Sequence, residues 1–162
     1  MKMSVLYYSR TGNTKKMAEA VAEGMRKVDG VEAGVFPLDG IDETFVKESR
    51  SVVVGTPTYL ATFATDMKIW LDQPNPALGL AGKLGGAFAT QDYLHGGADI
   101  AIQAILSHLM VKGMMTYSGG GALGKPVIHL GPVALKDHLD EAKDTFVLYG
   151  ERMARKAVEL FG

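Results

Sequence analysis

Apolar and polar positions change period along this chain, and the changes mark out its elements. Residues 3–8, Met-Ser-Val-Leu-Tyr-Tyr, read as a buried strand. Met17, Ala18, Val21, Met25 and Val28 then recur at helical spacing, which predicts a helix over 13–28 stopped by Asp29-Gly30. Residues 31–38 alternate as a second strand, and 42–48 give one or two helical turns. Ser51-Val52-Val53-Val54-Gly55 is the β-branched run of a central parallel strand. Residues 56–62 read as a loop. Phe63, Met67, Trp70 and Leu71 mark an amphipathic helix that Pro74 and Pro76 close. A small-residue strand over 84–90 leads through a loop at 91–97 to a helix facing inward with Ile102, Ile105, Leu106 and Leu109. Residues 114–117 predict a fifth strand. Residues 118–125 are too rich in glycine for a helix interior. Residues 127–130 read as a further short strand or its continuation. The last helix, 137–161, has its apolar positions at Leu139, Ala142, Phe146, Tyr149, Met153, Ala157 and Leu160 and turns its charged face to water.

Strands that alternate with helices require crossovers, so the pattern predicts a parallel sheet covered on both faces. Ligands of such sheets sit beyond the carboxyl ends of the strands. Three predicted loops leave those ends, at 9–14, 56–62 and 91–97, and should converge on one site. At 162 residues the chain is read as a single domain, 1–162. A net charge of −1 gives no basic groove for nucleic acid and no basic patch for a membrane. Without cysteine there is no thiolate metal site, so no metal is expected and redox chemistry would need an organic cofactor. The N-terminal residues show no signal-peptide pattern, and the expected location is cytoplasmic.

The first loop carries the chemistry. Ser9, Arg10, Thr11, Gly12, Asn13 and Thr14 form a turn between strand and helix. A helix start presents unpaired N–H groups and a dipole that favours an anion. Ser9, Thr11 and Thr14 add hydroxyls, and Gly12 lets the backbone approach closely. The turn reads as a phosphate cradle, though it lacks the Gly-Lys-Ser/Thr of a P-loop and the Gly-x-Gly-x-x-Gly of a dinucleotide fold. The second loop offers Pro57, Thr58, Tyr59, Leu60 and Ala61, and the third Thr90, Gln91, Asp92, Tyr93, Gly96 and Gly97. Hydroxyls, an apolar ledge and two aromatic rings suit a flat heterocycle carrying a terminal phosphate. Flavin mononucleotide, FMN, fits that description. A receiver domain of the same strand order is excluded, because Tyr7-Tyr8-Ser9 and Gly55-Thr56-Pro57 stand where it needs acids.

The pattern Ser9-x-Thr11-Gly12-x-Thr14 after an N-terminal strand resembles the phosphate loop of flavodoxins. Leu6-Tyr7-Tyr8-Ser9, Ala20 through Gly24, Gly55-Thr56-Pro57-Thr58, Met67 through Gln73 and Gly82-Lys83 are similar to the tryptophan-repressor-binding-protein family, FMN-dependent NAD(P)H:quinone oxidoreductases. That resemblance implies an α/β flavodoxin-like three-layer sandwich with a five-stranded parallel sheet of order 2-1-3-4-5. It implies that residues 9–14 surround the phosphate, that Pro57 through Leu60 border the ring, and that Thr90, Gln91, Asp92, Gly96 and Gly97 line its other side. The chain departs from those reductases by a short segment around 39–47, by Tyr93-Leu94-His95 in its third loop, and by Lys112 near their histidine.

Three functions follow as expectations. The leading one is an FMN oxidoreductase passing electrons from NAD(P)H to a quinone or similar small acceptor, with His95 as its nearby proton donor. The second is a one-electron carrier between redox protein partners, and the third a non-redox module for a phosphorylated ligand. Two features favour the first. The loops carry Asp66, Asp92 and Asp99 against Arg10, Lys15, Lys16 and His95, a near-neutral balance. Residues 56–62 also contain no glycine, so turning a peptide there into positive φ to meet a one-electron-reduced flavin would cost about 1–2 kcal/mol. A homo-oligomer that completes the site is a further expectation.

Overall fold

The computed structural model describes residues 1–162. Its sheet is built from β1 (Lys2–Tyr7), β2 (Glu32–Pro37), β3 (Ser51–Tyr59), β5 (Leu84–Gln91) and β6 (Met115–Thr116), in the order β2-β1-β3-β5-β6. All these pairings are parallel, with Leu6 opposite Val54 and Val54 opposite Ala87. With β5 as the fourth strand and β6 as the fifth, this is the expected 2-1-3-4-5 order. Helices α1 (Asn13–Arg26) and α5 (Leu139–Phe161) cover one face. Helices α2 (Glu43–Glu48), α3 (Thr65–Asp72) and α4 (Ala98–Val111) cover the other.

Strand periodicity divides the core in two. Val5, Val53 and Phe88 point to the α1/α5 side, where they meet Met17, Val21, Phe146 and Met153. Leu6, Val52, Val54 and Ala87 point the other way and meet Met67, Trp70, Ile102 and Ile105. Both faces are therefore buried, which is why the central strands read as continuous apolar runs. No helix is long and apolar enough to cross a membrane.

Two segments differ from the sequence reading. Residues 56–62 are not a loop: β3 runs on to Tyr59, turns at Leu60-Ala61 and returns antiparallel as β4 (Thr62–Phe63). Leu60 and Ala61 sit at φ 48° and 61°, the two left-handed residues of a tight hairpin. That turn is ordinarily signalled by Asn-Gly or Asp-Gly, and neither is present. Residues 127–130 are not a strand either. Ile128 makes one antiparallel bridge to Gly120, and the strand resumes only at β7 (Val133–Leu135). The fifth sheet position is thus split: β6 pairs with the first residues of β5 and β7 with its last. The buried Arg152 of α5 anchors the intervening segment, donating to the carbonyls of Leu123 and Pro126 at 3.1 Å each.

A buried lysine sits below the sheet. Lys83 donates to the carbonyls of Val46 and Lys47 at the end of α2, and burial, with Arg50 nearby, pulls its ammonium from 10.5 down to about 8. A lysine lowered in the folded state binds fewer protons there than in the unfolded chain between pH 8 and 10.5. Its contribution to stability therefore rises with pH across that window and is least favourable below it. Urea unfolding from pH 7 to 10.5 should show this rise, and Lys83→Met should flatten it. Parallel profiles for the two proteins would remove the assignment.

Candidate functional site

The chain reverses direction across the sheet between β1 and β3, and the carboxyl ends of these strands and β5 face one cleft. Arg10, Thr11, Asn13 and Thr14 form one wall of a hollow of about 230 Å³. Pro57, Thr58 and Tyr59 form the second wall, and Thr90, Gln91 and Asp92 the third. An adjoining hollow of about 210 Å³ shares Thr58, Tyr59, Gln91 and Asp92 and adds Leu60, Tyr93 and Gly96. The three predicted segments converge, and thirteen of their named residues line one cleft of two basins.

Local structure explains each wall. Gly12 adopts φ 95° just before α1, and its N–H donates to Ser9 Oγ at 3.1 Å, so the turn is closed on itself. No side chain caps α1, and its open start faces the cleft. Thr14 and Thr90 share a buried hydrogen bond of 2.8 Å between their hydroxyls, which ties the turn to β5. The Thr14 hydroxyl is therefore part of the frame. Thr56 holds the hairpin base, accepting from the Ala64 N–H and donating to the Pro57 carbonyl. Thr58 lines both basins, and its Oγ1 is buried without a hydrogen-bond partner. Such a group costs stability until a partner arrives.

Gln91 is a clamp. Its Oε1 accepts from the Ala98 N–H at the start of α4, and its Nε2 donates to the Leu94 carbonyl at 3.4 Å. This fixes the third loop over the cleft. Gly97, at φ 88°, lies so close to the hairpin that a Cβ there would stand 2.7 Å from the Cα of Ala61. The two loops lean on each other at that contact.

Some named residues fall elsewhere. Ser9 and Gly12 line a hollow on the opposite side of the turn. Ala61 and Gly97 brace the loops without lining either basin. His95 is exposed and lines neither basin, whereas Tyr93 and Gly96 of the same loop line one of them. The charge balance also changes on folding. Asp92 pairs with Lys136 at 3.3 Å and Lys16 with Asp140 at 2.6 Å, and both pairs are exposed. Lys136 and Asp140 lie far along the chain, and no spacing signal pointed to them. Arg10 is left as an unpaired cation on the cleft wall.

An uncapped helix start and two braced loops lie at the strand-order switch of this doubly wound sheet, the place where such folds bind their ligands. The flavodoxin family model matches residues 5–122, and the chain belongs to the flavodoxin family. It is 43% identical over 161 residues to a flavodoxin of Clostridium saccharobutylicum, covering 99% of this chain and 100% of that one. It is 32% identical over 137 residues to an NAD(P)H dehydrogenase (quinone) of Chromohalobacter salexigens, covering 70% of this chain and 68% of that one. The fold is similar to that of the flavodoxin, WrbA-like protein from Agrobacterium tumefaciens, with a TM-score of 0.81 at 24% identity over 98% of both chains.

Proposed function

We propose that this chain is a single-domain, one-electron carrier that holds FMN in the cleft and exchanges electrons with redox protein partners. The observation that carries the carrier reading is the Leu60-Ala61 turn. A glycine-free second loop argued against a carrier, since a peptide there would have to be forced into positive φ. Both residues already stand in that region, so the cost belongs to the resting fold and not to the change of redox state. The full-length similarity to a flavodoxin supports the same reading.

The residues present fit the cofactor. The uncapped start of α1 and the Arg10 guanidinium suit a phosphate dianion. The unpartnered Thr58 hydroxyl would gain a polar partner from the ligand. Tyr59 and Tyr93, 39% and 68% exposed, leave their faces open for a flat ring system. When bound, FMN supplies the redox centre. The chain's work is to orient it, to exclude water with the braced loops, and to leave one edge accessible.

The second reading, an NAD(P)H:quinone oxidoreductase, draws on the similarity at 32% identity. Anaerobic reduction of the FMN-loaded protein separates the two. A carrier is reduced by dithionite in two resolved one-electron steps and is not bleached by NADH or NADPH within minutes. Rapid bleaching by either nucleotide directly to the two-electron level would establish the reductase.

A further inference from the structure

A second, larger hollow lies across the phosphate-type turn from the cleft. It measures about 530 Å³, within the ~300–1,000 Å³ typical of small-molecule sites. Ser9 and Gly12 form the wall it shares with the turn, whose other side faces the cleft. Beyond them stand Tyr8, the nearly buried Trp70 and the apolar side chains of Leu38 and Ile69. Its charged groups are Lys15, Asp39 and Asp66, and its remaining amide is Gln73.

These three charged residues are solvent-exposed. Eight ion pairs tie charged side chains together in this protein, and none involves Lys15, Asp39 or Asp66. Tyr8 and Asp66 both line the hollow. Asp39 stands two residues past the end of β2, the strand next to β1. In the dinucleotide-binding folds whose fingerprint the turn lacks, an acid after the second strand accepts from the hydroxyls of a ribose, and Asp39 offers a carboxylate in the equivalent place. Aromatic and apolar walls suit a flat base, carboxylates suit a vicinal diol, and an ammonium beside the turn suits a second phosphate.

We propose that this hollow is a subsite for the adenosine 5′-phosphate half of a dinucleotide. The protein would then accept a ligand that spans the turn, with one half on either side. Two dinucleotides carry this half, FAD and NADH. The carboxylates of Asp39 and Asp66 on the hollow's wall repel a phosphate on the ribose 2′-oxygen, so NADPH is the disfavoured form. FMN carriage on the cleft side is a separate claim, and adenosine alone tests the hollow without it.

The experiment begins with the FMN-loaded protein and adenosine, followed by the fluorescence of Trp70, the chain's single tryptophan. A saturable change with half-saturation at about 1 mM or below is expected, an affinity ordinary for a fragment of this size. The cofactor-free protein is then titrated with FAD, with FMN, and with NADH in competition with adenosine. FAD binding within tenfold of FMN assigns the subsite to the flavin dinucleotide. NADH displacing adenosine assigns it to the nicotinamide dinucleotide. Ile69 is 59% exposed, so Ile69→Glu should fold normally, weaken adenosine about tenfold and leave FMN unchanged. No saturable Trp70 response up to about 10 mM adenosine overturns the proposal, as does a response that Ile69→Glu leaves intact. If FMN fails to load, the function proposed above falls while the adenosine arm still decides this one.

Discussion

Gly150→Ala should lower the unfolding free energy by about 3 kcal/mol and weaken FMN binding along with it. Gly150 lies inside α5, where glycine is a poor choice by propensity and alanine would gain about 1 kcal/mol. Packing reverses that preference. A Cβ at Gly150 would stand 1.9 Å from the carbonyl oxygen of Val21 in α1, and one at Gly24 would stand 1.8 Å from that of Val147 in α5. The two helices meet backbone to backbone, and a methyl group has nowhere to go unless they separate. Separation reaches the site because α1 begins at Asn13 and carries Thr14, whose hydroxyl ties the turn to Thr90. Urea unfolding checks the first effect and FMN titration the second. A loss below about 1 kcal/mol would mean that the helices slide apart easily, and the tie between crossing and turn would be discarded.

The second large effect is expected at Gly97. Gly97→Val should weaken FMN binding about a hundredfold, ~2.7 kcal/mol, with a much smaller loss of thermal stability. Two costs coincide there. The residue sits at φ 88°, which a β-branched side chain does not adopt without strain. Its Cβ would also strike Ala61 at the tip of the hairpin. Relief requires the hairpin and the third loop to part, and each carries one wall of the cleft. Gly97→Ala keeps the clash but reduces the strain, and should fall between the two. Unchanged FMN affinity in Gly97→Val would show that the braced loops are not what shapes the site.

These two glycines show where the sequence was legible and where it was not. The strand-to-helix turn, the β-branched centre of β3 and the helical spacing of α1 and α5 are local patterns, and each formed where the pattern placed it. The convergence of three segments followed from strand alternation alone, because parallel topology puts carboxyl ends together. What failed was decided by contacts between distant residues. The hairpin at Leu60-Ala61 carries no turn signal, and the neighbouring Gly97, 36 positions further on, leaves just enough room for it. The apolar stretch 127–130 looked like a strand, yet Arg152 holds the preceding carbonyls and β7 takes the place beside β5. His95 lies in the expected loop but is exposed and outside both basins, while Tyr93 and Gly96 of that loop line one.

The reading of function moved for the same reason. A missing glycine in the second loop is a fair sequence argument against redox-linked peptide movement, provided the loop rests at negative φ. It rests at positive φ, so the argument loses its premise. The near-neutral rim also divides on folding, with Asp92 and Lys16 each satisfied by a partner and Arg10 left facing the cleft.

FMN binding is expected to depend on the turn at residues 9–14 acting as a phosphate cradle, and one comparison tests that most directly. Cofactor-free protein is titrated with FMN and with riboflavin, which share the ring and differ in the phosphate, following the quenching of flavin fluorescence. A cradle formed by an uncapped helix start and Arg10 predicts one FMN per chain, bound at least about a hundredfold more tightly than riboflavin. Equal affinity for the two, or no saturable quenching by FMN, would contradict it.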